Sequence, residues 1–256
     1  MSCLLYCIFR TDEAQRPERT VGIAGQPIRV VAQNGLSVAL SELASSMPTP
    51  AIEDTLAYAK VVEAFHHQRT VIPLRYGCYV ADSSEAADLL ETHHREYEKL
   101  LAELEGADEM GIRVLLPEAE TEADDHPRPG LPKSLTLPCD SGAAYLAARR
   151  QHYLDLDRAA SDQRLLVNEL CESLSGLFLQ CKVEWHDSAR NRFLSLHFLV
   201  PRALLRAFRD ASCRFPSRRP VKLLLSGPWP PFNFVDSRQE QEACLTSQNC
   251  GDVHVS

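Results

Sequence analysis

An acidic, proline-rich stretch in the middle of the chain limits how this sequence can fold. Residues 117–138, PEAETEADDHPRPGLPKSLTLP, show no apolar repeat at the spacing of a helix or a strand. Such a composition cannot bury enough apolar surface to offset the entropy that ordering costs. We therefore interpret residues 117–138 as an interdomain linker or a mobile loop, with a separate domain on each side.

The two flanking segments have the lengths of ordinary domains. We place an N-terminal domain at residues 1–116 and a C-terminal domain at residues 139–236. Because 45% of the 256 residues are apolar, the chain can form sizeable cores without a metal ion or a disulfide. Residues 237–256 are polar and are predicted to be a flexible tail.

The first half contains several strand patterns. The run CLLYCIF, Cys3–Phe9, is apolar on both faces and predicts a buried strand. Asn34-Gly35 lies between two apolar runs, which is the strongest short-range signal for a tight hairpin. Residues 70–80 are predicted to be an edge strand or an extended loop, and residues 109–116 a strand that closes this half.

Two helices are predicted between these strands. The first covers residues 50–67 and the second residues 83–105, capped by Ser83 or Ser84 and stopped by Gly106. The apolar stripe expected on the first helix consists of Ile52, Leu56, Ala59, Val62 and Phe65.

The second half has a different order of elements. It predicts a helix in residues 139–174, strands at 176–186 and 191–200, a helix at 202–212 and a last strand at 221–227. This order is close to a ferredoxin-like unit. Each half is therefore predicted to be an α+β domain, an antiparallel sheet with helices to one side.

The sequence lacks the common motifs of nucleotide binding and hydrolysis. It has no GxxxxGK[ST], no GxGxxG after a predicted strand, no GxSxG and no HExxH. His66-His67 and His93-His94 could ligate zinc or copper, but neighbours on a helix point about 100° apart, which favours a structural role. The missing motifs lower the expectation of enzyme activity, and we assign no catalytic, cofactor-binding or metal-binding residue.

The cysteines indicate the cellular compartment, and the net charge indicates which classes of partner are disfavoured. The nine cysteines include no CxxC spacing, which suits a reducing compartment. The N-terminus resembles no signal peptide, and no segment approaches about 18 consecutive apolar residues. The net charge of −8 argues against general affinity for nucleic acid or anionic membranes. A cytoplasmic protein is predicted.

Arg75 is the only charged residue of VIPLRYG, residues 71–77. Its guanidinium could hold a carboxylate or a phosphate in a bidentate geometry. It could also pair with Asp82 or Glu85 near the start of the second helix. The internal ion pair is favoured, because a charge among apolar neighbours needs a partner.

The segment GPWPPFNFV, residues 227–235, concentrates prolines and aromatic rings. Three prolines fix φ and remove backbone donors, and the rings of Trp229, Phe232 and Phe234 can bury a large area. The segment offers no acid, base or nucleophile for catalysis. It is interpreted either as a latch over the protein's own core, which is favoured, or as an exposed aromatic contact surface.

Taken in order, these stretches resemble the sequence blocks of the gas vesicle protein F/L family (GvpF/GvpL). The similarity runs from Cys3 to Val235 and leaves out the acidic stretch and the polar tail. Its most specific blocks are VIPLRYG, LEGADEMGIRV and GPWPPFNFV. Family members often differ at Tyr76, Cys78 and Phe232, but these differences conserve size or ring character.

The resemblance implies two α+β domains, each a modified ferredoxin-like unit, in a non-enzymatic protein of gas vesicle formation. Such proteins are minor structural or assembly components, associated with the hydrophobic shell protein and with vesicle nucleation, and they could prevent shell-protein aggregation. The implied partners are the major shell protein and other gas vesicle accessory proteins, without nucleic acid, lipid membrane or cofactor. The implied location is the gas vesicle in the cytoplasm, and the F type is favoured over the L type.

We hypothesise that Trp229, Phe232, Phe234 and Arg75 take part in binding the partner. A rigid proline–aromatic strip could shield the apolar surface of a shell protein. The alternative is a ferredoxin-like small-molecule-binding protein or enzyme that uses an interdomain cleft near Arg75.

Overall fold

A computed structural model describes residues 2–11, 21–43, 51–115, 163–188, 191–215 and 221–235, together with Arg150 and Ser161. The predicted linker at 117–138, the predicted tail at 237–256 and most of the first part of the helix predicted at 139–174 lie outside the described residues. The described residues form two antiparallel sheets with helices packed on them, which confirms the predicted α+β class. Among them, no helix is long and apolar enough to cross a membrane.

The first sheet is built around its central strand. It contains β1 (Ser2–Arg10), β2 (Arg29–Gln33), β3 (Leu36–Leu43) and the short strands β4 (Ile72–Pro73) and β5 (Tyr79–Val80). The strand order is β2-β3-β1-β4, and β5 also pairs with β1. The predicted hairpin is confirmed, because Asn34 and Gly35 have φ values of 51° and 85°, as a type I′ turn requires.

Helices lie on both faces of the first sheet. They are α1 (Ile52–His66), α2 (Ser83–Thr92) and α3 (His94–Glu103). Leu4 and Tyr6 of β1 belong to the apolar cluster of α1, whereas Leu5 and Ile8 belong to the cluster of α2 and α3. Because helices pack on both faces of the sheet, β1 carries apolar side chains on both of its faces. It adds a layer that the sequence analysis did not predict.

The stripe predicted on α1 is partly wrong. Ile52 and Leu56 are exposed, with 79% and 56% of their surface accessible. The buried face instead includes Tyr58, whose ring packs on the sheet while its hydroxyl donates to the carbonyl of Leu74 at 2.8 Å. Val62 and Phe65 are buried as predicted. A tyrosine can be buried when its hydroxyl finds an acceptor, so apolar spacing alone placed only the C-terminal part of the stripe correctly.

The second predicted helix is two helices. The helix is interrupted at His93, where φ is −105° and ψ is 17°. Asp82, and not Ser83 or Ser84, caps α2, because its carboxylate accepts from the amides of Ser84 and Glu85 at 2.8 and 3.0 Å.

The second sheet includes a strand that we expected in the first. It contains β6 (Ala107–Leu115), β7 (Gln180–Ser188), β8 (Asn191–Pro201) and β9 (Lys222–Trp229), in the order β7-β8-β6-β9. Two helices connect them, α4 at residues 163–173 and α5 (Leu205–Cys213) after the 3-10 turn Arg202–Leu204. The elements follow the βαββαβ order of a ferredoxin-like unit. The strand predicted to close the first half is β6, which pairs with β8 and β9.

The two faces of the second sheet differ. One face packs against α4 and α5 in an apolar cluster that includes Ile112, Val114, Leu170, Phe198 and Phe208. The other face carries alternate residues of the same strands. At one end its Leu199 joins the cluster of α2 and α3, and strand residues line a groove on the rest of it. We call this second face, on which neither α4 nor α5 packs, the helix-free face.

Asp108 of β6 connects the two sheets. Its Oδ1 accepts from Nε of Arg202 at 2.9 Å and lies 2.8 Å from Nε2 of His66, the last residue of α1. Nη2 of Arg202 also donates to the carbonyl oxygen of His66 at 2.8 Å. Burial acts to raise the pKa of Asp108, but hydrogen bonds from His66 and Arg202 outweigh it and hold that pKa below its usual value.

We expect Arg202→Met to lower the free energy of unfolding by about 1–3 kcal/mol, because it leaves a buried carboxylate without its charged donor. Arg206→Met removes the same charge from an exposed position of α5 and should change the free energy by less than about 0.5 kcal/mol. Urea unfolding of both variants measures the difference. Equal effects would contradict the assigned role of Asp108.

Candidate functional site

The proline–aromatic segment leaves the second sheet and enters the core of the first. A bulge at the end of β9 sets its direction, where Gly227 has φ of 103°. A Cβ at Gly227 would meet the carbonyl oxygen of Glu109 at 2.6 Å, so this close approach requires glycine. Nη2 of Arg209 donates to the Gly227 carbonyl at 2.7 Å and holds the bulge in place.

The aromatic residues of the segment have different environments. Trp229 is 45% exposed at the end of β9. Phe232 is half-buried and packs against the α1 cluster, while Phe234 is buried in the cluster of α2 and α3. Lys182 of β7 places its Nζ 5.7 Å from the centre of the Phe234 ring. The C-terminal part of the segment, residues 230–235, therefore packs on the protein's own core, and we call it the latch. Trp229 remains at the surface.

Glu109 fastens this latch to the helix-free face. Its Oε2 accepts from the amide of Asn233 at 2.9 Å, and its Oε1 accepts from Nδ2 of the same residue at 2.6 Å. Nδ1 of His197 lies 3.0 Å from Oε1. Side chains of Glu109 and His197 are 5% and 18% exposed, so the carboxylate depends on these donors instead of water.

The protonated form of His197 is favoured by this arrangement. The hydrogen bond to Glu109 raises the pKa of His197, while burial lowers it by less. The charges that act on the ring are Glu109 and Glu184, which favour protonation, and Arg113, which opposes it. Nε2 of His197 lies 3.7 Å from Glu184, too far for a hydrogen bond.

A shallow groove of about 280 Å³ lies beside the latch on the helix-free face. Gly111, Arg113, Ser195, His197, Leu224 and Ser226 line it. Strand register places Trp229 opposite Glu109, on the same face as Gly111. Leu224 is half exposed, and the guanidinium of Arg113 stacks 4.8 Å from the ring of Phe193. The groove thus combines apolar surface with hydrogen-bond donors.

Arg75 lies elsewhere. It is exposed in the turn between β4 and β5 of the first sheet and does not line the groove. Solvent reaches its guanidinium, and the ion pair with Asp82 or Glu85 stays a prediction. Asp82 and Glu85 both accept from backbone amides at the start of α2.

The histidine pairs have structural contacts. His66 binds Asp108, while His67 is exposed. Nδ1 of His93 lies 3.1 Å from Glu96, and Nε2 of His94 lies 2.8 Å from the carbonyl oxygen of Asn34. Within the part of the chain that the structure describes, no group of three or more histidines, cysteines or acids could hold a metal ion.

Sequence reasoning favoured a structural role for His66 without finding its partner. It missed the other polar residues that organise this site, namely Asp108, Glu109, His197, Arg202 and Asn233. A signal was present at Asp108-Glu109, because two consecutive acids stand near the start of a mostly apolar strand. Adjacent strand residues point to opposite faces, so each acid needs its own partner on its own side.

The raised pKa of His197 predicts that its contribution to the free energy of unfolding depends on pH. Because the folded pKa lies above the ordinary value of 6.5, protonation of His197 stabilises the fold fully below about pH 6.5. That contribution is lost as the pH rises through the folded pKa. We expect the difference in unfolding free energy between the wild type and His197→Gln to shrink as the pH rises above about 6.5 in urea titrations.

Glu109→Gln supplies the control for this prediction. With the carboxylate removed, the pKa of residue 197 should return toward its ordinary value, and the pH-dependent step should move to lower pH. A wild-type stability advantage over His197→Gln that grows with rising pH would contradict the assigned ion pair.

Known proteins resemble this chain over most of its length. The family described as "Gas vesicle synthesis protein GvpL/GvpF" matches residues 2–236. Gas vesicle protein L of Streptomyces sp. (strain CB03234) is 25% identical over 255 residues, covering 92% of this chain and 93% of that protein. Gas vesicle protein F1 of Halobacterium salinarum (strain ATCC 700922 / JCM 11081 / NRC-1) is 24% identical over 219 residues, covering 84% of each chain.

Solved structures share the fold. The crystal structure of gas vesicle protein GvpF from Anabaena sp. PCC7120 matches with a TM-score of 0.67 and 20% identity, over 91% of this chain and 95% of that one. GvpF from Microcystis aeruginosa matches with a TM-score of 0.63 and 16% identity, over 91% and 98% of the two chains. With the family match extending from β1 to the latch, this chain belongs to the GvpL/GvpF family of gas vesicle synthesis proteins.

Proposed function

We propose that this protein is a minor structural or assembly component of the gas vesicle that binds the hydrophobic shell protein through the surface around Trp229. By covering apolar surface of the shell protein before it enters the wall, it limits aggregation and assists nucleation. It acts in the cytoplasm and at the vesicle, with other gas vesicle proteins as further partners. Family membership supports the gas vesicle role, and an exposed tryptophan beside an anchored latch supports the contact.

Trp229 is suited to binding because its position is fixed before the partner arrives. On one side β9 pairs with β6, and on the other Pro230 and Pro231 are buried and lead into the anchored Phe234. A rigid ring loses little conformational entropy on contact, and tryptophan is among the residues that most often dominate binding energy.

The groove next to Trp229 supports an apolar partner that also carries hydrogen-bond acceptors. Leu224 offers exposed apolar surface, and Arg113 offers donors on the same face. A segment of the shell protein could bury its apolar side chains on Leu224 and Trp229 while its acceptors bind Arg113. Apolar area next to hydrogen-bonding groups is typical of protein–protein interfaces.

The other predicted contact residues have different proposed roles. Phe234 anchors the latch because it is buried in the protein's own core. Phe232 and Arg75 remain proposed contacts, the first through its accessible edge and the second through its exposed guanidinium. The proposal includes no catalysis. The two described grooves, of about 280 and 260 Å³, both lie on the second sheet, and Arg75 lines neither.

We expect Trp229→Ala to reduce capture of the major shell protein about tenfold or more in a co-expression pull-down, because it removes the central exposed ring. Trp185→Ala is the matched control. Trp185 is 49% exposed on the same sheet, but its register opposite Leu194 places it on the helix-packed face. Capture by Trp185→Ala should stay near that of the wild type.

Urea unfolding of the two variants separates contact from folding. Both should keep their unfolding midpoints, since each truncates an exposed ring. The proposed contact is wrong if Trp229→Ala keeps its midpoint and full capture. If Trp229→Ala loses both, the loss of capture follows from unfolding, and Trp229 belongs to the latch.

A further inference from the structure

Cys171 of α4 and Cys181 of β7 face each other across the packing of the helix on the sheet. Their Sγ atoms lie 4.0 Å apart, and both side chains are half-buried at the edge of the apolar cluster of the second sheet. The turn between α4 and β7 holds both elements close, with Gly176 at φ of 78°. The proposed shell-protein surface uses neither thiol, since Cys181 is opposite Phe198 on the helix-packed face.

We propose that Cys171 and Cys181 are a reversible oxidation site, which a small disulfide such as oxidised glutathione converts into an intramolecular disulfide between α4 and β7. A disulfide bond is about 2.05 Å long. The sulfurs must therefore approach by about 2 Å, a movement that rotation of the two side chains can supply.

The thiol pair is also chemically suited to this reaction. A thiolate on Cys171 accepts a hydrogen bond from the neighbouring thiol, which lowers the pKa of Cys171 to about 7. The same hydrogen bond raises the pKa of Cys181. Since the thiolate is the attacking form, this pair can react near neutral pH, and attack from either sulfur closes the same disulfide.

The reaction proceeds in two balanced exchanges. The Cys171 thiolate attacks one sulfur of oxidised glutathione, forms a mixed disulfide and releases one glutathione thiolate. The Cys181 thiol loses its proton, and its sulfur then attacks Sγ of Cys171 and releases the second glutathione thiolate. The two electrons that leave the protein reduce the glutathione disulfide, and the two protons of the thiols go to the released thiolates.

The other described cysteines lack one or more of these features. Cys3, Cys7 and Cys78 are buried, and burial raises the pKa of Cys7 and of Cys3. Cys213 is exposed and serves as an internal reference for an accessible thiol without a described thiol neighbour. The pair is thus the described position where proximity and partial exposure coincide.

The sequence makes the pair easy to detect. The residues from Leu165 to Lys182 form one tryptic peptide, because Arg164 precedes it and no other lysine or arginine interrupts it. Cys171 and Cys181 are its only cysteines. An intramolecular disulfide makes this peptide lighter by two hydrogen atoms and protects both thiols from alkylation.

The test incubates the folded full-length protein with oxidised glutathione, blocks free thiols with an alkylating reagent and maps peptides by mass spectrometry. We expect peptide 165–182 to lose both alkylation sites, to gain no glutathione and to recover both sites after reduction. Oxidation should also raise the unfolding midpoint of the wild type and of Cys213→Ser, but not of Cys171→Ser or Cys181→Ser.

Two results would overturn the proposal. The first is full alkylation of both thiols under conditions in which Cys213 has already become glutathionylated. The second is a stable mixed disulfide on either residue without closure, which would show that the sulfurs do not meet. Both readouts are independent of shell-protein binding, so failure here leaves the proposed function untouched.

Discussion

Two neighbouring carboxylates on β6 hold the two sheets and the latch together. Side chains of consecutive strand residues point to opposite faces, so Asp108 reaches Arg202 and the end of α1, while Glu109 reaches the latch. Each carboxylate is buried, and a buried charge is tolerated only when donors replace water. These contacts therefore fix how the sheets meet and where the segment after β9 leaves the second sheet.

Local patterns predicted the elements well. The hairpin at Asn34-Gly35 and the buried strand β1 depend on neighbouring residues, and both are confirmed. The apolar stripe predicted on α1 was partly wrong, because it left out Tyr58, whose ring is buried and whose hydroxyl is hydrogen-bonded. The helix predicted to run to Gly106 ends at Glu103, with Gly106 at φ of 66° in the turn that follows, and His93 had already divided it. Local signals thus specify elements more reliably than the faces they bury.

Nonlocal pairing is what the sequence did not reveal. The acidic stretch suggested a boundary after residue 116, but β6 precedes that stretch and still pairs with β8 and β9, whose residues follow it. Asp108 and Arg202 are 94 positions apart, and Glu109 and Asn233 are 124 apart. Residue spacing carries no information about such contacts. The latch interpretation was correct for Phe234, which is buried, and the contact interpretation stays a prediction for the exposed Trp229.

The central claim is that the latch presents Trp229 to the shell protein. The chain contains two tryptophans, so Trp185→Phe leaves Trp229 as the sole tryptophan of this protein. The direct measurement is its emission and its quenching by acrylamide, before and after addition of a shell protein whose tryptophans have been replaced. The account predicts a shift to shorter wavelength and weaker quenching in the complex. Complex formation with unchanged emission and unchanged quenching would contradict it.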